Sequence, residues 1–228
     1  MTYKLDFHKI DWSLYVVLDK EFIQGRSVTF LAEELIKGGA GVIQLRNKIS
    51  ETQEFYLDAV KVREVTQKHG IPLIINDRLD IAMAVQADGV HLGQNDLPFQ
   101  VARGLICQDM ILGASVHNLN EFYKAVEGGA DYLGVGTIYP TNTKEAHQIM
   151  GVKIVETLRS KTNLPLVAIG GITLENLDPV IQAGADGVAV ISALLKVEDV
   201  AARATEFTQK IRNAKLSRSK VPAQRSRN

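Results

Sequence analysis

The sequence predicts an α/β fold, a (βα)8 TIM barrel in a single domain. Three observations carry the prediction. First, one short theme occurs four times: a small-residue turn, an apolar run, then polar residues. The copies are GGAGVIQLRNK (Gly38 to Lys48), QADGVHLGQND (Gln86 to Asp96), GGADYLGVGTIYPTNTK (Gly128 to Lys144) and AGADGVAVISALLK (Ala183 to Lys196). They stand at intervals of roughly 43 to 55 residues, which fits two strand–helix units per step. Second, eight apolar runs alternate with amphipathic stretches of helical length, such as those from Glu51 to His69 and from Leu119 to Glu127. Third, a chain of 228 residues falls within the usual size of one such domain. An open doubly wound sheet is the competing arrangement. No G-x-G-x-x-G follows the first apolar run, which counts against its dinucleotide-binding form.

Taken in order, residues 1–13 form an N-terminal segment, read as a helix closing the barrel bottom. The strands are expected to begin near Leu14, Val42, Leu73, Val90, Met110, Tyr132, Leu166 and Val188. Most are apolar at successive positions, as strands buried on both faces should be. Pro72 and Pro165 stand at strand starts, where a missing amide is tolerated. Ser50, Asn118 and Thr173 are expected N-caps. The barrel is expected to span residues 14–213. Residues 214–228 form a basic, Ser-rich tail expected to be disordered.

Composition narrows the function. Twenty-six basic residues balance 26 acidic ones, which argues against wholesale binding to nucleic acid or an anionic membrane. Any phosphate recognition must be local. No apolar stretch approaches the roughly 20 residues needed to span a bilayer. The N-terminus MTYKLDFHKIDW is charged and has no signal-like apolar block, so a cytoplasmic protein is expected. Cys107 is the only cysteine, which excludes an intramolecular disulfide; a packing role is expected for it.

The polar residues after the strands carry the chemistry. Gln44, Arg46 and Lys48 alternate, so a strand would project them to one face. Two cations there require an anion or neighbouring carboxylates to meet them; a strand end paired with acids is the other reading. Asn76-Asp77-Arg78 follows the third run and His91-Leu92-Gly93-Gln94-Asn95-Asp96 ends the fourth. Asp77 and Asp96 thus stand above adjacent strands. Two carboxylates without a Cys or His cluster suit Mg2+ completed by water and substrate phosphates, while helix capping is the bland alternative for either Asp alone. His91 is open between a substrate contact and a hydrogen-bonded core position. Ser115, in Gly113-Ala114-Ser115-Val116-His117-Asn118, reads as a hydrogen-bonding residue, since no nucleophile elbow is present. His117 reads as flanking the next helix. Thr141, Thr143 and Lys144 follow the sixth run and suit phosphoryl oxygens. Gly170-Gly171 after the seventh run and Ser192 after the eighth match the position at which barrel enzymes bind phosphate.

Together these segments resemble thiamine-phosphate synthases. The matching stretches VIQLRNK, IINDRLDIA, GVHLGQND, GASVHN, GVGTIYPTNTK, AIGGI and ADGVAVISAL run in family order from Val42 to Leu194. Thr137, Tyr139 and Ile191 stand where many members carry Pro, Phe and Val, differences of shape more than of chemistry. The resemblance implies a transferase joining a hydroxymethylpyrimidine pyrophosphate to a hydroxyethylthiazole phosphate, with Mg2+ as cofactor. It implies that Gln44, Arg46 and Lys48 hold the pyrimidine substrate and its pyrophosphate. Asp77 and Asp96 would hold Mg2+, with Asn76 nearby. Ser115 and Lys144 would contact the pyrophosphate. Thr141, Thr143, Gly171, Ile191 and Ser192 would position the thiazole phosphate. Arg46, Lys48, Ser115 and Lys144 are the expected catalytic set, and the path is expected to be dissociative. The partners are then small molecules, with homo-oligomer formation left open. The rival readings are a barrel enzyme that isomerises the thiazole phosphate, and a non-catalytic sensor of phosphorylated ligands.

Overall fold

Runs of Leu, Val and Ile can be buried on both faces only inside a parallel sheet covered by helices. In the computed structural model, which describes residues 6–141 and 148–220, they form such a sheet. Its strands are β1 (Leu14–Asp19), β2 (Val42–Arg46), β3 (Leu73–Asn76), β4 (Gly89–Leu92), β5 (Ile111–Val116), β6 (Tyr132–Val135), β7 (Leu166–Ile169) and β8 (Gly187–Val190). They are parallel, pair in sequence order and close through β1 against β8. The barrel expected from the sequence is therefore present. Five strand starts fall on the expected residue, and those at Gly89, Ile111 and Gly187 differ by a single position.

The helices are α1 (Val28–Lys37), α2 (Thr52–His69), α3 (Leu79–Ala84), α4 (Phe99–Leu105), α5 (Leu119–Glu127), α6 (Lys153–Arg159), α7 (Leu177–Gln182), α8 (Ser192–Leu195) and α9 (Val200–Lys220). Asn118 caps α5 as expected, its side chain accepting the Glu121 N–H at 3.0 Å. Ser50 and Thr173 do not cap helices. Glu51 holds the cap position of α2. Thr173 opens a turn ahead of α7, closed by Asn176 Oδ1 accepting the Thr173 N–H at 2.8 Å. Cys107 is exposed, not packed in the core.

Both ends of the chain differ from expectation. Among its described residues, the N-terminal segment contributes a single 3-10 turn, Phe7–Lys9, instead of an α-helix. Trp12 provides the closure, its ring centroid 4.6 Å from that of Tyr132 at the barrel floor. At the other end, α9 runs to Lys220, past residue 213 and into the expected tail. Phe207, Ile211 and Ala214 are buried at helical spacing, so the apolar stripe continues to the start of that segment and holds it in helical form. Residues 221–228 lie outside the described part.

The four-fold theme has a physical basis at the barrel bottom. Each copy ends a helix with a residue of positive φ: Gly39 (96°), Gln86 (50°), Gly129 (80°) and Gly184 (108°). The following alanine then donates back into the helix, as Ala40 does to Leu35 O and Ala130 to Ala125 O, both at 3.0 Å. In three copies the next residue is Asp. Its carboxylate accepts an N–H from the first or second residue of the preceding strand: Asp88 from Leu73 at 2.8 Å, Asp131 from Leu112 at 2.7 Å and Asp186 from Leu166 at 2.8 Å. The same oxygen is held by an arginine from an earlier helix, Arg63, Arg103 and Arg159 respectively. The first copy has Gly41 instead, because a side chain there would collide with Asp11 O, 1.9 Å from the Cβ position. The segment crossing the floor occupies the space that the clamp would need.

Candidate active site

At the opposite end, the C-terminal ends of the strands open on a cavity of about 880 Å3. Arg46, Lys48, Asn76, Asp77, Asp96 and Ser115 line it from β2 to β5. Thr141, Gly171, Ile191 and Ser192 line it from β6 to β8. Gln44 is buried beneath these residues and does not line the cavity. Thr143 and Lys144 lie outside the described residues.

Strand alternation sets the β2 wall. Gln44 and Arg46 share a face, and Lys48 follows two residues past the strand end. Arg46 pairs with Asp19, a fully buried carboxylate directly opposite it in the β1–β2 register, and lies 3.9 Å from Glu21. Lys48 pairs with Asp77. The cations therefore meet carboxylates on their inner side while still facing the cavity.

Asp77 adopts the left-handed backbone region at φ 60°, and its N–H donates to His91 O at 2.8 Å. This bond ties the bend to β4. Asp96 receives the Gly93 N–H at 2.7 Å on its carboxylate. Burial pushes the Asp96 carboxyl above the usual carboxylate range; the Gly93 N–H opposes this, and the neighbouring Asp77 adds to it. Two adjoining carboxylates, one already costly to ionise, form a site that a hard cation would relieve. Among the described residues there is no cluster of three or more His, Cys, Asp and Glu side chains for a metal. The pair instead fits Mg2+, which commonly takes one or two protein carboxylates and completes its shell with water and phosphate.

The far wall differs. Gly170 and Gly171 have φ of 104° and 61°, and a side chain on Gly171 would meet Pro140 O at 2.4 Å. Only glycine permits this close approach of the β6 and β7 loops. Ser192 opens α8 beside them. This wall offers backbone and hydroxyl groups where the β2–β4 wall offers charges.

Several contributors escape a reading along the chain. Asp19 and Glu21 set the position of Arg46, and only the strand register reveals it. Gln94 Nε2 donates to Ser115 O at 2.6 Å, tying the β4 loop to β5. His117, read as merely flanking a helix, lines the cavity with its Nδ1 2.8 Å from Glu121 Oε2. His91 lines the cavity and is also hydrogen-bonded inward, to Tyr132, which fits the core position that the sequence left open for it. Gln148 and Met150 complete the rim without a signal of their own.

The model of the thiamine monophosphate synthase family matches residues 14–194. A thiamine-phosphate synthase from Chloroflexus aurantiacus is 47% identical over 201 residues, 88% of this chain and 93% of that one. One from Clostridium novyi is 45% identical over 192 residues, covering 84% of this chain and 94% of its own. The solved thiamine phosphate pyrophosphorylase of Pyrococcus furiosus superposes with a TM-score of 0.82 at 35% identity, over 90% of this chain and 98% of that one.

Proposed function

The chain belongs to the thiamine monophosphate synthase family, a family of transferases, and from that premise we propose that it couples a hydroxymethylpyrimidine pyrophosphate to a hydroxyethylthiazole phosphate. The products are thiamine phosphate and pyrophosphate. The observation that supports this reading most is the two-sided cavity. A cationic wall carrying Arg46 and Lys48 faces a glycine and hydroxyl wall carrying Gly171 and Ser192, so two different anions can be held in one space.

In this reading Arg46 and Lys48 bind the pyrophosphate. As the bond between the methylene carbon and the pyrophosphate oxygen breaks, charge grows on that oxygen, and fixed cations lower the barrier. The electron-rich pyrimidine ring stabilises the methylene cation, and the thiazole nitrogen then supplies the electron pair for the new C–N bond. No enzyme nucleophile or strong base is required. Asp77 and Asp96 would hold Mg2+, which when bound adds further neutralisation of the leaving group. Gly171, Ile191, Ser192 and Thr141 orient the thiazole phosphate, turning the encounter into a positioned reaction. Lys144 and Thr143 are assigned here by family resemblance alone. Asn76 and Ser115 complete the pyrimidine side, while Gln44, buried beneath the wall, is assigned to it by family resemblance alone.

No helix among the described residues is long and apolar enough to cross a membrane. The reading places the enzyme in the cytoplasm, acting on small molecules.

The test is pyrophosphate release by the purified protein with both substrates and Mg2+. Release that needs all three components, matched by thiamine phosphate, is the expected result. Folded protein that binds the ligands without release overturns the synthase reading in favour of the isomerase or the sensor.

A further inference from the structure

Beneath the cavity, five polar side chains form an unbroken chain of hydrogen bonds. Gln44 Nε2 donates to Tyr15 Oη at 2.7 Å. Tyr15 Oη lies 2.7 Å from Tyr132 Oη, and Tyr132 Oη lies 2.8 Å from His91 Nδ1. His91 Nε2 lies 2.9 Å from Ser115 Oγ. Tyr15 and Tyr132 are buried and do not line the cavity, whereas His91 and Ser115 do.

The barrel makes room for this chain. A Cβ on Gly113 would stand 2.3 Å from the Tyr132 ring, and one on Gly134 would stand 2.9 Å from His91 Cε1. Adjacent strands thus omit side chains where the two rings pass. A buried polar network is justified energetically only when every member is satisfied, and an apolar filling would be no less stable. That points to a role beyond packing.

Proton counting gives the chain a direction. Each hydroxyl carries one proton. Because Tyr15 accepts from Gln44, its own proton goes to Tyr132. Tyr132 then donates to His91 Nδ1, so the neutral imidazole carries its proton on Nε2 and donates to Ser115 Oγ. The Ser115 proton is directed into the cavity. We infer that Tyr15, Tyr132 and His91 are positioning residues that fix the Ser115 hydroxyl as a hydrogen-bond donor to an anionic oxygen of the substrate. This rests on the proposed coupling reaction. A barrel that presented Ser115 as an acceptor would instead repel that oxygen.

Two measurements test it. In the full-length, ligand-free protein, 15N NMR of the imidazole at a pH where it is neutral should show His91 as the Nε2–H tautomer, with that preference lost in Tyr132→Phe. An Nδ1–H tautomer in the unmodified protein reverses the Tyr132–His91 and His91–Ser115 bonds and overturns the inference. In the coupling assay, Tyr132→Phe should lower kcat/KM roughly tenfold, the scale of one charge-assisted hydrogen bond. In a Ser115→Ala background the same substitution should have almost no further effect. Independent, multiplicative losses would show that the tyrosine does not act through Ser115. Tyr15→Phe repeats the cycle if Tyr132→Phe does not fold. Failure of the unmodified protein to release pyrophosphate sinks the coupling reaction, while the tautomer measurement still judges the direction of the chain.

Discussion

The two ends of the barrel use one repeated theme in opposite ways. At the bottom the copies are nearly interchangeable: a left-handed helix end, a returning alanine N–H, and in three of them an Asp clamped by an Arg. At the top the tails after the same strands share nothing. One carries Arg46 and Lys48, the next Asp96, and the last Ile191 and Ser192. The difference follows from the task. Each bottom turn must end a helix and lead into a strand whose neighbour needs its starting N–H groups satisfied, and that problem recurs around the ring. The top must hold ligands that have no such symmetry. Substitutions at the bottom should therefore be read in stability, and those at the top in turnover.

The strongest attempt to break this contrast is Asp88→Ala. The clamp with Arg63 is well buried, with side chains 16% and 7% exposed for Arg63 and Asp88. Removing the acid leaves a buried guanidinium and the Leu73 N–H without their acceptor, a loss of about 3–5 kcal/mol. Asp131→Ala should cost clearly less, because the Arg103 and Asp131 side chains are 26% and 37% exposed. Urea unfolding would give both values. Specific activity of the folded fraction should stay unchanged, and a fall in kcat for the folded protein would erase the separation of roles.

Lys48→Ala probes the other end. Its side chain is 47% exposed, so its removal should leave urea stability nearly unchanged. Loss of a fixed charge at the leaving group should cost about 10²–10³-fold in kcat/KM. Arg46→Ala sharpens the point, since it sits at the top yet pairs with the fully buried Asp19. It should lose both turnover and stability. If Lys48→Ala destabilised as much as Arg46→Ala, exposure would not be what separates them.

The sequence disclosed what is local. Strand starts were legible to within one residue because two-faced burial leaves an uninterrupted apolar run. Wall residues such as Arg46, Asp77, Ser115 and Ser192 were legible because they lie at or just past the ends of those runs, whereas Gln148 and Met150 carried no signal of their own. Pairings across the barrel were not legible. Asp19 finds Arg46 through strand register, and His91 finds Tyr132 across 41 residues of chain. The last turns of α9, from Ala214 to Lys220, were hidden by their basic composition, because only Ala214 of the buried stripe Val200, Ala204, Phe207, Ile211 and Ala214 falls among them. Ser50 and Thr173 have the right chemistry for caps but stand one and three residues ahead of Glu51 and Asn176, where the backbone turns.

The smallest effect lies in the one irregular member of the bottom ring. Gly39, Gly129 and Gly184 end their helices at positive φ without strain, but the equivalent residue before β4 is Gln86, at φ 50°. A side chain in this region costs roughly 1–2 kcal/mol, and the extra unfolded-state freedom of glycine returns roughly 0.5–1 of it. Gln86→Gly should therefore stabilise the protein by about 0.5–1 kcal/mol in urea, with unchanged kcat. The reverse exchange, Gly39→Ala, should destabilise it by more, since its Cβ would also meet Thr208 Oγ1 at 2.8 Å. If Gln86→Gly were destabilising, the glutamine side chain would be contributing something that the turn geometry does not require, and the bottom ring would not be the uniform structural device its backbone describes.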